Sequence, residues 1–231
     1  MRGQYVFNPP YLILAVALIL VTGVGFIVTY LSGKSYLATG SLVLLFFSMA
    51  FIVQSIVPIG SGLASLFSPS ATVAIAALGL LVGSLIQLIA AVQASFRSVS
   101  IGSEHRKIRL TIASAVSLLL SFIVVFLPLL PSFPLLFIDA AGVTLINQAI
   151  YVIAIAFFVA GGLLFMRLYL HSKSSPLYWY SLALLLWGVG TFGVMWQLRF
   201  SDIVAWTGRC GWYIGSLYYI IALRSAKRGT N

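Results

Sequence analysis

The sequence predicts an all-α fold, a polytopic bundle of seven transmembrane helices with the N-terminus outside and the C-terminus in the cytoplasm. Three observations carry that expectation. Of 231 residues, 61% are hydrophobic and 7% charged, too few charges to solvate a globular surface. Apolar runs of spanning length recur along the chain with short links between them. Lys and Arg gather at alternate links, the mark of a fixed orientation across a membrane. Seven spans with short connections occupy nearly the whole length, so residues 1–231 read as one multi-pass domain of the cell membrane.

The first span is expected at about 11–31, opened by Pro9 and Pro10, residues that start a helix better than they continue one. Arg2 and the apolar run behind it could suggest a signal peptide. The run is longer than a usual signal core and lacks a small-residue exit, so it reads as a retained span. A short link with Lys34 leads to a second span at about 36–57, expected to end at Pro58 before a Gly/Ser-rich stretch at 59–70. The third span, about 71–96, precedes the most polar stretch of the chain, 97–109, with Glu104, His105, Arg106 and Lys107. The fourth, about 110–130, runs into Pro128, Pro131 and Pro134, a spacing that stops a helix. The fifth, about 140–170, starts beside Asp139 and is long enough to require tilt. The sixth, about 177–197, has Tyr178, Trp179 and Tyr180 at one end and Trp196 at the other, aromatics suited to the two interfaces. The seventh is expected at about 203–223, with a short basic tail after it.

Orientation follows from the cations. One side holds ten: Lys34, Arg97, Arg106, Lys107, Arg109, Arg167, Lys173, Arg224, Lys227 and Arg228. The other holds two, Arg2 and Arg199, while Arg209 lies inside a span. The ten-cation side is expected to be cytoplasmic. The net charge of +10 therefore serves topology and contact with anionic membrane lipids, not nucleic acid.

Several chemistries are excluded by where residues fall. All four lysines lie in links or the tail, so no span offers an amine for a retinal Schiff base. His105 and His171 lie outside span interiors, which removes a membrane haem pair. No span carries a proteolytic constellation or a metal set, and Glu104, Asp139 and Asp202 are all placed at span ends, away from a proton relay. The expectation is a protein that is not an enzyme and holds no cofactor. Cys210, the one cysteine, can form no intramolecular disulfide.

The seventh span is the most mixed. Gly208, Gly211, Gly215 and Ala222 share one face, which permits close approach of another helix of the same chain or, alternatively, a homodimer seam. Trp206, Arg209, Tyr213 and Ser216 share the adjacent face. An arginine at mid-membrane costs roughly 2.5–3.5 kcal/mol on insertion scales, and so requires a reason. It can snorkel, it can pair with Asp202 two turns nearer the surface, or it can meet an anionic or polar ligand between the flat walls of Trp206 and Tyr213. At the same outer depth stand Gln54, Asn147, Gln148 and Gln197. Each amide can instead bond a neighbouring helix, at about 0.6 kcal/mol on average. The candidate ligand-binding set is thus Arg209, Asp202, Trp206, Tyr213, Gln197, Asn147, Gln148 and Gln54. Gln87 and Gln93 lie deeper.

The pattern Asp202-x3-Trp206-x2-Arg209-x5-Gly215-x2-Tyr218-x3-Ala222 resembles the final span of the seven-helix membrane-associated sensor domains at the N-termini of bacterial and archaeal histidine kinases and diguanylate cyclases. The resemblance implies a C-in sensor that hands a signal to the cytoplasm. Such domains continue into a signalling module, whereas seven residues follow Arg224 here, so the signal is expected to pass to a separate cytoplasmic partner at the basic inner face. The leading expectation is a receptor or sensor for a small or lipid-like ligand bound in the outer half. A small transporter or channel, and a structural subunit of a larger membrane complex, are the alternatives.

Overall fold

A hydrophobic chain without enough charge to cover itself with water can satisfy its backbone only internally, and here it does so as helix. The computed structural model describes residues 15–96, 102–138, 141–200 and 202–228. Arg2, Pro9, Pro10, Arg97 and Asp139 lie outside the described residues. The fold is all-α, with seven long helices among the described residues. α1 begins as a π-wound stretch, Ala17–Gly23, and continues as Val24–Thr39. α2 is Leu42–Ala64, α3 Pro69–Ser95, α4 Arg106–Phe126, α5 Leu145–Ser172, α6 Ser175–Met195 and α7 Ile203–Arg228. Single 3₁₀ turns, Ser103–His105 and Leu127–Leu129, flank α4.

Local chemistry sets the ends. Gly40, at φ 73°, takes the left-handed conformation that closes α1 and returns its N–H to the Tyr36 carbonyl at 2.7 Å. Ser68 caps α3, its hydroxyl accepting from Ala71 N at 3.2 Å with Pro69 behind it. Between α4 and α5 the proline-broken segment forms a two-residue antiparallel ladder, β1 Phe137–Ile138 with β2 Gly142–Val143. The ladder delays the start of α5 to Leu145, later than the sequence suggests.

α2 departs most from expectation. Instead of ending at Pro58, it runs through that residue to Ala64. Proline removes only its own N–H, which leaves the Gln54 carbonyl without the usual helical donor, and a surrounding bundle tolerates that.

Five helices are long and apolar enough to cross a membrane: Leu42–Ala64, Pro69–Ser95, Ser103–Leu129, Leu145–Ser172 and Ser175–Met195. α7 is not among them because its Trp, Tyr, Gly and Arg residues lower its apolar average. The helices alternate in direction. The ladder, the turn after α2 and the α6–α7 link share one end of the bundle, called here the ladder end. At the opposite end Arg106 Nη1 donates to the carbonyls of Leu37 and Ala38, at 3.1 and 2.7 Å, and so holds the carbonyl end of α1.

The most extensive contact is α6 against α7. It is a backbone seam. A Cβ on Gly208 would lie 2.6 Å from the Gly190 carbonyl oxygen, and one on Gly211 2.9 Å from that of Leu186. The Gly208, Gly211 and Gly215 ladder therefore packs within the chain. The main apolar core joins α1, α2, α3, α5, α6 and α7, with Phe137 and Val143 of the ladder closing one end. α4 stands outside this core and packs on α2 through a second cluster.

Candidate functional site

Two tryptophans define the wall of a cavity at the ladder end. Trp187 of α6 sits over Gly215 of α7, and Trp212 of α7 sits over Gly190 of α6, each within 2.6 Å of where a Cβ would stand. The arrangement is reciprocal because both helices carry Trp three residues before Gly and run antiparallel. It brings the two rings to 5.9 Å, nearly parallel at 25°. Trp212 Nε1 donates to Thr191 Oγ1 at 3.2 Å.

Around these rings every helix except α4 borders a cavity that opens to solvent, about 820 Å3 when that open space is counted. Apolar groups such as Val21, Val57, Pro58, Val73, Leu80 and Phe200 make up most of the lining. Arg209 is the charged residue among the described lining residues, and its side chain is 8% exposed. Tyr151 and Tyr213 stand within electrostatic reach of its guanidinium. Four of the lining residues each carry a buried polar atom with no hydrogen-bond partner in the protein: Gln54 Nε2, Tyr151 Oη, Trp187 Nε1 and Gln197 Oε1. The Asn147 amide lies one turn from Tyr151 and within its influence, although neither Asn147 Oδ1 nor the Tyr151 hydroxyl completes a hydrogen bond.

Of the eight residues singled out from the sequence, Gln54, Gln197, Arg209 and Tyr213 line the cavity. Trp206 backs it, with its ring centroid 5.3 Å from Arg209 Cζ, a cation–π contact. Asp202 does another job. Its carboxylate accepts from Ala205 N at 2.9 Å, Leu198 N at 3.0 Å and Arg199 N at 3.4 Å, so it caps α7 and ties the link before it. It stays within electrostatic reach of Arg209, but among the described residues no ion pair joins the two. Asn147 Nδ2 donates to the Leu136 carbonyl at 3.2 Å, and Gln148 Nε2 to that of Val143 at 3.4 Å. Both amides hold the ladder over the bundle end.

Sequence reasoning missed Tyr151, Trp187 and Trp212. The repeated Trp-x-x-Gly in adjacent spans was the available signal for the two tryptophans. Tyr151 had only its position one turn after Asn147. Gln87, by contrast, lies buried below the cavity and bonded to Gln54.

An apolar chamber with one guanidinium and several unfilled donors and an acceptor suits a small molecule with an anionic or polar head and an apolar body. The chain matches no family model, and comparison with curated proteins and with solved structures gives no match.

Proposed function

We propose that this chain is a seven-span membrane receptor or sensor that binds a small ligand with an anionic or polar head in the ladder-end cavity, which opens outward. The observation that carries the reading is that Gln54, Tyr151, Trp187 and Gln197, each with a buried polar atom left unmatched, line the same apolar chamber as Arg209. Leaving a buried polar atom unmatched costs about 1–3 kcal/mol. Four beside a guanidinium are explained by a guest that completes them.

The packing of α1 and α7 with the five apolar helices supports a count of seven spans. α7 has 26 residues, about 39 Å of helix, and its Arg209 and Ser216 are buried in the bundle. The ten-to-two cation bias supports an outward ladder end. The signal then leaves through the inner ends of α6 and α7, toward a cytoplasmic partner at the basic face. Part of that face is already occupied, since Arg106 binds the end of α1.

The ligand reading is tested with decanoate and decan-1-ol at equal concentrations on the protein in lipid nanodiscs. Decanoate is expected to raise the melting temperature more than the alcohol, with stabilisation of about 2.7 kcal/mol at a hundredfold excess over Kd. Arg209→Gln is expected to erase the difference. Equal responses to both probes, or a difference that survives in Arg209→Gln, would overturn the reading. The outward opening is tested separately in a Cys210→Ser background with an impermeant thiol reagent on intact cells. Ser61→Cys, in the cavity lining, is expected to react, whereas Ser103→Cys and Ser174→Cys are not.

A second reading, a small transporter, is favoured by a further cavity at the opposite end, lined by Ser32, Phe47, Tyr180 and Tyr219 among others. Uptake of decanoate into proteoliposomes separates the two, because a receptor binds the probe without moving it.

A further inference from the structure

The two cavities are joined by a chain of polar side chains through the core. At its centre is Gln87 of α3, fully buried. Gln87 Nε2 donates to Gln54 Oε1 at 3.3 Å and to the Tyr219 hydroxyl at 3.5 Å, and Gln87 Oε1 accepts a short hydrogen bond from the Tyr180 hydroxyl. An amide NH2 has two hydrogens, so both donations can coexist. One side chain thereby ties α2, α3, α6 and α7 together at a single depth of the bundle.

The two ends of the chain differ. Gln54 belongs to both: it lines the ladder-end cavity, its Oε1 joins the chain, and its Nε2 is buried without a protein partner. Tyr180 and Tyr219 line the second cavity, where Ser32 Oγ is also buried and unmatched. Tyr180 stacks on Phe47 at 4.1 Å and tilts against Tyr219 at 5.0 Å, and Tyr219 meets Phe51 edge-on at 4.6 Å. A shift of either hydroxyl must therefore move rings that wall this cavity.

Lengths show where the chain yields. The two donations from Gln87 Nε2 are at the long end of the hydrogen-bond range. The carboxamide is planar and rigid, so an acceptor that draws Gln54 Nε2 toward the outer cavity carries Oε1 with it. Gln87 is then left to rebalance between Gln54 and Tyr219. We propose that Gln87 couples the ladder-end cavity to the second cavity, so that engagement of Gln54 on one side repacks Tyr180 and Tyr219 on the other. The role of occupancy rests on the ligand reading above, but the coupling itself can be tested without any ligand.

In the Cys210→Ser background, Ser32→Cys reports on the second cavity through its rate of reaction with N-ethylmaleimide. Gln54→Leu, some distance away on the outer side, is expected to change that rate by about threefold or more. In a Gln87→Met background the same Gln54→Leu change is expected to have no further effect, because the connection is already cut. Tyr180→Phe, which deletes only the hydroxyl and keeps the stacked ring, is expected to uncouple in the same way and serves if Gln87→Met folds poorly. A purely structural Gln87 would lower stability yet leave the response to Gln54→Leu intact. The proposal is overturned if Gln54→Leu leaves the reporter rate unchanged, or alters it by the same factor with and without the Tyr180 hydroxyl. Failure of decanoate to bind would overturn the ligand reading alone, since no ligand enters this measurement.

Discussion

α4 and α7 are built on opposite rules. α4 turns Ile108, Ile112, Leu118, Leu119, Phe122 and Phe126 outward and buries only Ala113, Ser117, Ser121 and Val124 fully, with Leu110 and Val125 packed beside them. α7 is far less apolar, yet it sits against α6 with glycine on backbone and carries Arg209 into the interior. In water the more apolar helix would be the central one. In a bilayer an outward leucine costs nothing, while a polar group or an exposed backbone costs several kcal/mol. Apolar purity therefore marks the periphery, and mixed composition marks the helix on which the site is built.

The largest expected effect breaks the α7 side of this contrast. At Gly208 a side chain would meet the Gly190 carbonyl oxygen at 2.6 Å and Val194 N at 2.7 Å. Both are backbone atoms of a packed helix that no rotamer change can move aside. Gly208→Leu is expected to cost about 3 kcal/mol or more, seen as loss of the monodisperse peak in size-exclusion chromatography. A melting temperature equal to that of the wild type would mean that the two backbones do not meet there.

Next comes the seam of α4. Ser121 is fully buried and its hydroxyl donates to the Ser117 carbonyl at 2.7 Å. Its role against α2 is to be small. Ser121→Leu is expected to cost about 1–3 kcal/mol by overpacking, less than Gly208→Leu because side chains rather than backbone must give way. Thermal unfolding of the two variants in the same lipid tests the ranking, and an equal or larger loss at Ser121 would reverse the contrast.

This contrast also explains what could be read in the sequence. All seven helices were legible, because apolar runs of spanning length leave a bilayer chain few alternatives. Pro58 misled, since its effect depends on whether neighbouring helices shelter the freed Gln54 carbonyl, which one strand of text does not show. Half of the proposed site residues fall on the cavity. Arg209 and Tyr213 stood out for their place in a span, and Gln54 and Gln197 for their depth. Asn147, Gln148 and Asp202 share that depth but face the ladder and the α6–α7 link, where they satisfy backbone groups. Depth can be counted along a sequence. The rotation of each helix comes from its neighbours, and so Trp187 became a cavity wall only once Gly215 was placed opposite it.

A smaller effect separates the cap of α7 from its cavity. Asp202 accepts from three backbone N–H groups, Ala205 on Oδ1 and Leu198 and Arg199 on Oδ2, and the single acceptor oxygen of an asparagine can keep one side of that set. Asp202→Ala is expected to cost about 1 kcal/mol and Asp202→Asn clearly less. If Asp202→Asn proves as damaging as Asp202→Ala, one acceptor oxygen is not enough and the cap needs both sides of the carboxylate.

The smallest effect belongs to the outward face of α4. Leu119 is 60% exposed, near the middle of a helix long and apolar enough to cross a membrane, and on that reading its neighbours are lipid chains. Trimming it to alanine removes methyl groups that contact lipid in the folded protein and in a membrane-inserted unfolded chain alike, so the transfer term nearly cancels. No cavity opens either, because lipid fills the gap. Alanine also favours helix slightly over leucine. Leu119→Ala is expected to change stability by less than about 0.5 kcal/mol, measured by reversible unfolding in the same nanodiscs, and to leave decanoate binding unchanged. A loss of about 2 kcal/mol or more, the size seen on truncating a packed core leucine, would show that this face is buried against another protein. α4 would then be an interface, and its exposed apolar surface would no longer stand as the lipid-facing counterpart of α7.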